Sequence, residues 1–298
     1  MIVNMKMKRT LVFLFGGLLV VPVLADEEVD KTIDAASDGD VEIYNTAGSV
    51  TVRGWSRDSV QVTGEIGDDV EELVVERDGD YILVKVKVPR NHGRDIDAEI
   101  IVSVPEDSSI EVSGISADIE VDDVNGDQSL QTVSGDVEVR GVSADLEAAS
   151  VSGDVDVSGT GENGDTAAAT VSGDVTVSNL SGEMEAESVS GSVTIVGGSF
   201  ERVYFETVNG DLTFSGQLLS GGKIAAESVN GDVELDFEGE VSASFDIETF
   251  NGDIENCFGP KPERTSRYAP GLELSFSQGD GDGRVVIETL NGDVSVCN

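Results

Sequence analysis

The phrase Val-Ser-Gly-Asp-Val recurs along this chain at near-constant spacing, and that recurrence constrains the fold more than any other feature. It stands at Val133 to Val137, Val151 to Val155 and Val171 to Val175, then at Val189 to Val193 with Ser192 in the Asp place. It continues with Asn for Ser at Val208 to Leu212, Val229 to Val233, Phe250 to Ile254 and Leu290 to Val294. The glycines at 135, 153, 173, 191, 210, 231 and 252 lie 18, 20, 18, 19, 21 and 21 residues apart, and Gly292 follows 40 further on. Ser113-Gly114, 21 residues before Gly135, reads as the opening of the series. A fixed period of this size means stacked units, none able to bury its own apolar face.

Each unit reads as two short strands. Apolar residues fall two and four places after each glycine, as at Val137 and Val139, Val155 and Val157, Val193 and Ile195, or Leu212 and Phe214. This alternation of β-branched residues is a strand signal, and Ser/Asn-Gly-Asp marks the bend before it. Asp118, Asp127, Asp136, Asp145 and Asp154 add a half-repeat of nine, each at a turn entering a strand. The expected fold is therefore all-β, a β-solenoid resembling a parallel β-helix with rungs of 18–21 residues. At about 4.8 Å per rung it would form a rod of roughly 40 Å. Like residues then stack in ladders. Thr132, Ser150, Thr170, Ser188, Thr207, Ser228, Thr249 and Thr289 stand three before the glycine, and Asp follows it in all but one of the phrases. Glu187, Glu206, Glu227, Glu248 and Glu288 stand four before it, a stack of like charge that is tolerable only if solvated and screened.

The flanks differ from the repeats. Lys6, Lys8 and Arg9 precede an apolar run from Leu11 to Leu24, and Val23-Leu24-Ala25 suits signal peptidase, so residues 1–25 read as a secretory signal. The run is short for a retained span, and no membrane insertion is expected after cleavage. Residues 26–112 carry irregularly linked strands, Trp55, Pro89 and Pro105, and are expected to form a β cap that shields the first edge of the repeats at 113–298.

Charge narrows the function. Acidic residues number 59 against 18 basic, a net charge of −41, which excludes nucleic acid as a partner because phosphate binding needs a basic face. The single histidine, His92, excludes sites with two His ligands. Carboxylate pairs that could cleave a glycoside must occur by chance among so many acids. A carbohydrate-active β-helix enzyme acting on a polysaccharide is thus the alternative, and a non-catalytic role is the reading preferred. No cofactor is expected. The nine-residue Asp period invites comparison with calcium-binding solenoids, but their paired glycines are missing, and only weak, non-stoichiometric Ca²⁺ association is expected.

Several phrases together resemble a bacterial family known as the putative-adhesin domain of unknown function. They are Asn45 to Trp55, Val102-Ser103-Val104-Pro105, the serial Ser-Gly-Asp-Val units, and the ending from Gly281 to Val296. The resemblance covers about residues 39–298 and implies an exported or envelope-associated β-solenoid, periplasmic or at the cell surface, without established catalytic residues. An unidentified envelope or surface component is the partner it suggests.

Two local features complete the expectations. The stretch Gly259 to Gly271 interrupts the repeats within a loop insertion at about 258–282. Its Lys261, Arg264, Arg267 and Tyr268 make it the candidate partner-binding loop on an otherwise acidic chain. Cys257 and Cys297 each lie five residues after a repeat glycine, so they share one column. If 258–282 held a full rung, the two would lie about 9.6 Å apart, beyond the reach of a disulfide. If that stretch loops out, the rungs are adjacent and the bond closes, which is the reading favoured in an exported chain.

Overall fold

The computed structural model describes residues 27–89, 95–266 and 270–298, and every regular element among them is a β-strand. The expected signal segment 1–25 and His92 lie outside the described residues. The chain winds as a solenoid-like stack whose rungs contribute to two parallel sheets. In the rung at 146–159, Leu146–Ser150 lies in the back sheet, the chain bends at Ser152-Gly153-Asp154, and Val155–Gly159 lies in the front sheet. At the corner opposite the glycines the backbone often stays extended. There two strands merge into one, as in Val175–Ser190 and Val193–Asn209.

Register is kept along both sheets and shifts only around the corner opposite the glycines, as at Ser158/Gly159, Gly182/Glu183 and Val196/Ser199. Val137, Val155, Val175, Val193, Leu212, Val233, Val294 and Ile254 stack inward in the front sheet. Leu130, Ala148, Ala168, Ala186, Phe205, Ala226, Ile287 and Ile247 stack inward in the back sheet. Slipping one residue would turn either column into solvent, so burial fixes the pairing. The core changes character along the stack. The rungs from 128 to 186 are filled by Val, Ala and Leu with Met184, and farther on Phe200 and Phe205 both meet Phe214, which meets Phe237 and through it Phe245, with ring centroids 5.8–6.4 Å apart. Burying each of these rings contributes about 1.5–3 kcal/mol.

Close backbone approach explains the glycine column. A Cβ on Gly191 would lie 1.8 Å from the carbonyl oxygen of Gly173 in the next rung. The column opens on Ala117 rather than on Gly114. Gly135 backs onto the Ala117 carbonyl, and Asp136 N–H bonds to Asp118, so Ala117-Asp118 is the rung equivalent of Gly135-Asp136.

Parallel stacking also begins earlier than residue 113. Asp40–Trp55 runs in register with Ser109–Asp122 from Asp40↔Ser109 to Arg53↔Asp122. On its other side it takes Tyr81–Lys87 and Ala98–Pro105, again parallel. The division expected at residue 112 therefore falls inside a strand of the stack. At this end of the stack the antiparallel cover is Ser59–Ile66 on Ala98–Pro105, Glu27–Asp34 on Ser59–Ile66, and Glu72–Asp78 on Tyr81–Lys87. These strands occupy the sheet edges that would otherwise be open to another chain.

The distal end departs from the expected order. Gly283–Asn291 pairs on one side with residues 223–230 and on the other with Ala243–Asn251. Val294–Cys297 likewise lies between Val233–Phe237 and Ile254–Asn256. The last rung in sequence is thus the penultimate one in space, and rung 243–256 is outermost. The stretch 258–282 is not a plain loop either. Within it, Leu272–Gln278 runs antiparallel on Ala243–Asn251 and covers the back-sheet edge, with Glu263–Arg264 beyond it. The rungs bearing Cys257 and Cys297 are adjacent, and the two form a disulfide with Cα atoms 4.9 Å apart.

Candidate functional site

Parity along the back-sheet strands sorts the repeat into inner and outer ladders. The residue three before each glycine points inward and is buried, so those at four and two before it point outward. Of the inward hydroxyls, Ser150, Thr170, Ser188 and Thr207 donate to the carbonyls of Gly135, Gly153, Gly173 and Gly191 at 2.8–2.9 Å, while the buried Ser228 hydroxyl has no hydrogen-bond partner among the described residues.

The outward position two before the glycine forms an apolar ladder along the stack. In spatial order it reads Ile115, Val133, Val151, Val171, Val189, Val208, Val229, Leu290 and Phe250. Exposure runs from 38% at Val229 to 55% at Ile115, with Val208 half-buried, which is unusual for β-branched side chains in register. The motif phrase contains this valine each time. Its parity with the outward glutamates was the signal that sequence reasoning passed over.

Beside it runs the glutamate ladder. Glu187, Glu206, Glu227, Glu288 and Glu248 are stacked in register, and Glu273 extends the series on the covering strand. Among the described residues none of these six forms an ion pair. Burial pushes the Glu187 carboxyl above its usual range, and the charges of Glu185 and Glu206 push it further. Glu227 is raised in the same way, by burial and then by Glu206 and Glu288. The Tyr204 hydroxyl donates to Glu206, which with burial raises the tyrosine pKa. A groove of about 360 Å³ lies between the two ladders, lined by Glu206, Glu227, Glu248, Glu288, Val229 and Leu290 among others. On the far flank an asparagine ladder closes on itself. Asn230 donates to Asn209, Asn291 to Asn230 and Asn251 to Asn291, all at 2.9–3.0 Å.

The aspartate ladder has a structural use. Asp118 Oδ1 accepts the backbone N–H of Asp136, Asp136 that of Asp154, and Asp154 that of Asp174, at 2.8–3.1 Å. The pattern resumes at the distal end, where Asp232 accepts from Asp293 and Asp293 from Asp253. Each carboxylate thus ties its rung to the next at a bend where ladder bonds are interrupted. Among the described residues no three His, Cys, Asp or Glu side chains are grouped to hold a metal ion.

A second hollow of about 570 Å³ crosses the first rungs and includes Asp40, Glu42, Tyr81, Glu111, Asp145 and Glu147. Among its lining carboxylates, Glu42 accepts two tyrosine hydrogen bonds. They come from the hydroxyls of Tyr44 and Tyr81 and lower its pKa while raising that of Tyr81 to about 12. A glycosidase acid needs a carboxyl held protonated, and Glu42 is shifted the other way.

Of the loop residues expected to bind a partner, Lys261 and Arg264 are exposed near the distal end, Arg264 opposite Leu272. Arg267 and Tyr268 lie outside the described residues.

A model of the family described as Toastrack DUF4097 matches residues 40–297. The chain belongs to this family. The matched span starts at the first residue of Asp40–Trp55 and ends at Cys297, so the Toastrack unit coincides with the parallel stack and leaves Glu27–Asp34 outside. Among solved structures, a putative adhesin from Bacteroides fragilis is 12% identical with a TM-score of 0.49, over 91% of this chain and 97% of that one. A putative adhesin from Parabacteroides distasonis is 11% identical, TM-score 0.36, over 91% and 98%. A putative lipid binding protein from the same species is 12% identical, TM-score 0.36, over 90% and 96%. No curated protein matches the chain. In this Toastrack chain the apolar and glutamate ladders run down one face of the back sheet, and both reach the outermost rung.

Proposed function

We propose that the protein is an exported, non-catalytic component of the bacterial cell envelope, periplasmic or at the surface, whose work is to bind another envelope or surface component in an adhesive role. The observation that carries the reading is the exposed apolar ladder beside uncompensated glutamates, because a face of this kind is a contact surface and not a reaction centre. The Cys257–Cys297 disulfide supports export, since such bonds persist in oxidising compartments. Residues 1–25 would serve as the secretory signal and be removed, and the antiparallel strands before and beside Asp40–Trp55 would cap the stack.

Cell fractionation with blotting for the mature chain tests the location, and retention on isolated envelopes tests the binding. The expected result is a chain lacking the first 25 residues in the exported fraction and held by envelopes. A full-length chain confined to the cytoplasm would overturn the reading. The basic loop supplies an internal comparison. The variant Lys261→Ser/Arg264→Ser/Arg267→Ser loses retention only if an acidic partner meets the loop rather than the ladder face.

A further inference from the structure

We propose that the apolar and glutamate ladders together seat a cationic amphipathic α-helix lying along the axis of the stack. The inference rests on the binding reading above and names the partner's chemistry. Glutamate and apolar side chains stand two residues apart on the same strands, about 6.7 Å from one ladder to the other. That separation fits side by side under one helix, whose diameter with side chains is about 10–12 Å.

Periodicity argues for a helix. Rungs repeat at about 4.8 Å, and a helical turn advances about 5.4 Å, so one face of a helix offers a side chain to nearly every rung. An extended peptide places same-side residues about 6.7 Å apart and falls out of step within three rungs. Length follows from the glutamates. Glu187 to Glu273 spans five rung intervals, about 24 Å, which about 16 helical residues would cover.

Charge complementarity identifies the occupant. The six stacked glutamates have no cation of their own among the described residues, so Lys or Arg on the partner would relieve in-register repulsion. A second copy of this chain would bring more negative charge, since the net charge is −41. A simple polyamine would leave the apolar ladder uncovered, and that ladder widens from Val229 to Leu290 and Phe250 on rungs that each carry a glutamate of the column.

The test uses the mature protein at physiological salt and a labelled 18-residue Leu/Lys peptide designed as an amphipathic helix. A scrambled peptide of the same composition is the comparison. Two site variants are Val229→Ser/Leu290→Ser/Phe250→Ser and Glu206→Gln/Glu227→Gln/Glu288→Gln. A charge-matched control, Asp156→Asn/Glu234→Gln/Glu255→Gln, removes three acids from the outer front sheet. Each site variant should lose at least tenfold in affinity, the control less than twofold, and the scrambled peptide should bind at least tenfold more weakly. The single variant Leu290→Ser, expected to lose about threefold, stands in if the apolar triple variant melts early. Equal losses in control and glutamate variants, an unaffected apolar variant, or equal binding of the scrambled peptide would each overturn the proposal. Envelope retention separates the two levels. Wild type and site variants held equally would leave the binding reading intact and sink this site, whereas no retention of wild type would sink the binding reading.

Discussion

The side-chain amide of Asn291 donates to Asn230 at 2.9 Å across 61 residues of sequence. Asn251 lies between them in the chain yet one rung beyond Asn291 in space, and it donates in turn to Asn291 at 2.9 Å. The C-terminal rung is therefore threaded between two rungs made earlier. Its phrase Ile287 to Val294 nearly repeats Ile247 to Ile254, so either rung could stack on residues 223–237 by its own side chains. What distinguishes the two placements is the covering strand Leu272–Gln278, which needs an antiparallel partner at the outer edge and stacks Phe276 on Phe245 there.

The disulfide joins the last two rungs and should stabilise the distal end. Closing a loop with a sequence separation of 40 removes unfolded-state entropy equivalent to about 4 kcal/mol in the chain-entropy model. Urea denaturation of Cys257→Ser/Cys297→Ser is expected to show a loss approaching that figure, with the first transition confined to the distal rungs. Thiol titration of the denatured, non-reduced protein should find no free thiol, and two per chain would refute the bond.

Gly191→Ala should destabilise by about 3 kcal/mol, because its new methyl meets a backbone carbonyl at 1.8 Å and cannot be accommodated by a rotamer change. Rungs stack rigidly in register, so relief at one corner costs pairing in both sheets. Thermal melting decides it, and a change of less than half that size would show that the corner yields.

Much of this architecture was legible because stacking converts sequence period into geometry. Gly191, Asp154, Thr207 and Glu227 each fall in the ladder expected from their distance to the repeat glycine. The rung order was not legible, since the phrases around Gly252 and Gly292 match at the inward pairs Ile247/Ile287, Thr249/Thr289 and Ile254/Val294, and the difference between Phe245 and Val285 lies ahead of the repeated phrase. Nor was the start of the stack. Asp40–Trp55 lacks the Ser-Gly-Asp phrase, and its register with Ser109–Asp122 rests on inward Val41, Ile43, Val50 and Val52. The candidate face was half visible: the glutamates stand out as a column, while Val229 and Leu290 enter only as part of the repeated phrase, with no side of the sheet assigned to them.

Salt should stabilise the protein without a specific cation. The glutamates repel through solvent, and added ions screen them over about 10 Å at 0.1 M. The Asp ladder is already engaged, Asp136 and Asp154 each holding the N–H of the next rung. The melting temperature is expected to climb smoothly with NaCl and to reach a similar plateau with CaCl₂ at equal ionic strength. A saturable, stoichiometric transition at micromolar Ca²⁺ would count against this account of the aspartates.

Acidification should first stabilise the fold and then destabilise it. Glu187 and Glu227 are raised above their usual 4.5 in the folded state, by burial first and by neighbouring carboxylates second. The folded chain therefore binds these protons more tightly than the unfolded chain. Their cost is present in full at neutral pH and is relieved as pH falls through the raised values toward the unfolded one. Glu120 and Asp282 have the opposite sign. Hydrogen bonds from Arg140 lower the first, and those from Ser220 and Ser242 lower the second, so their contribution is lost as pH drops below the usual carboxylate range. The melting temperature should accordingly peak at about pH 5. Glu187→Gln/Glu227→Gln should raise it at pH 7 and flatten the rise between pH 7 and 5, leaving the acid limb in place. A melting temperature that falls steadily from pH 7 downward in the wild type would show that the glutamate ladder carries no such strain.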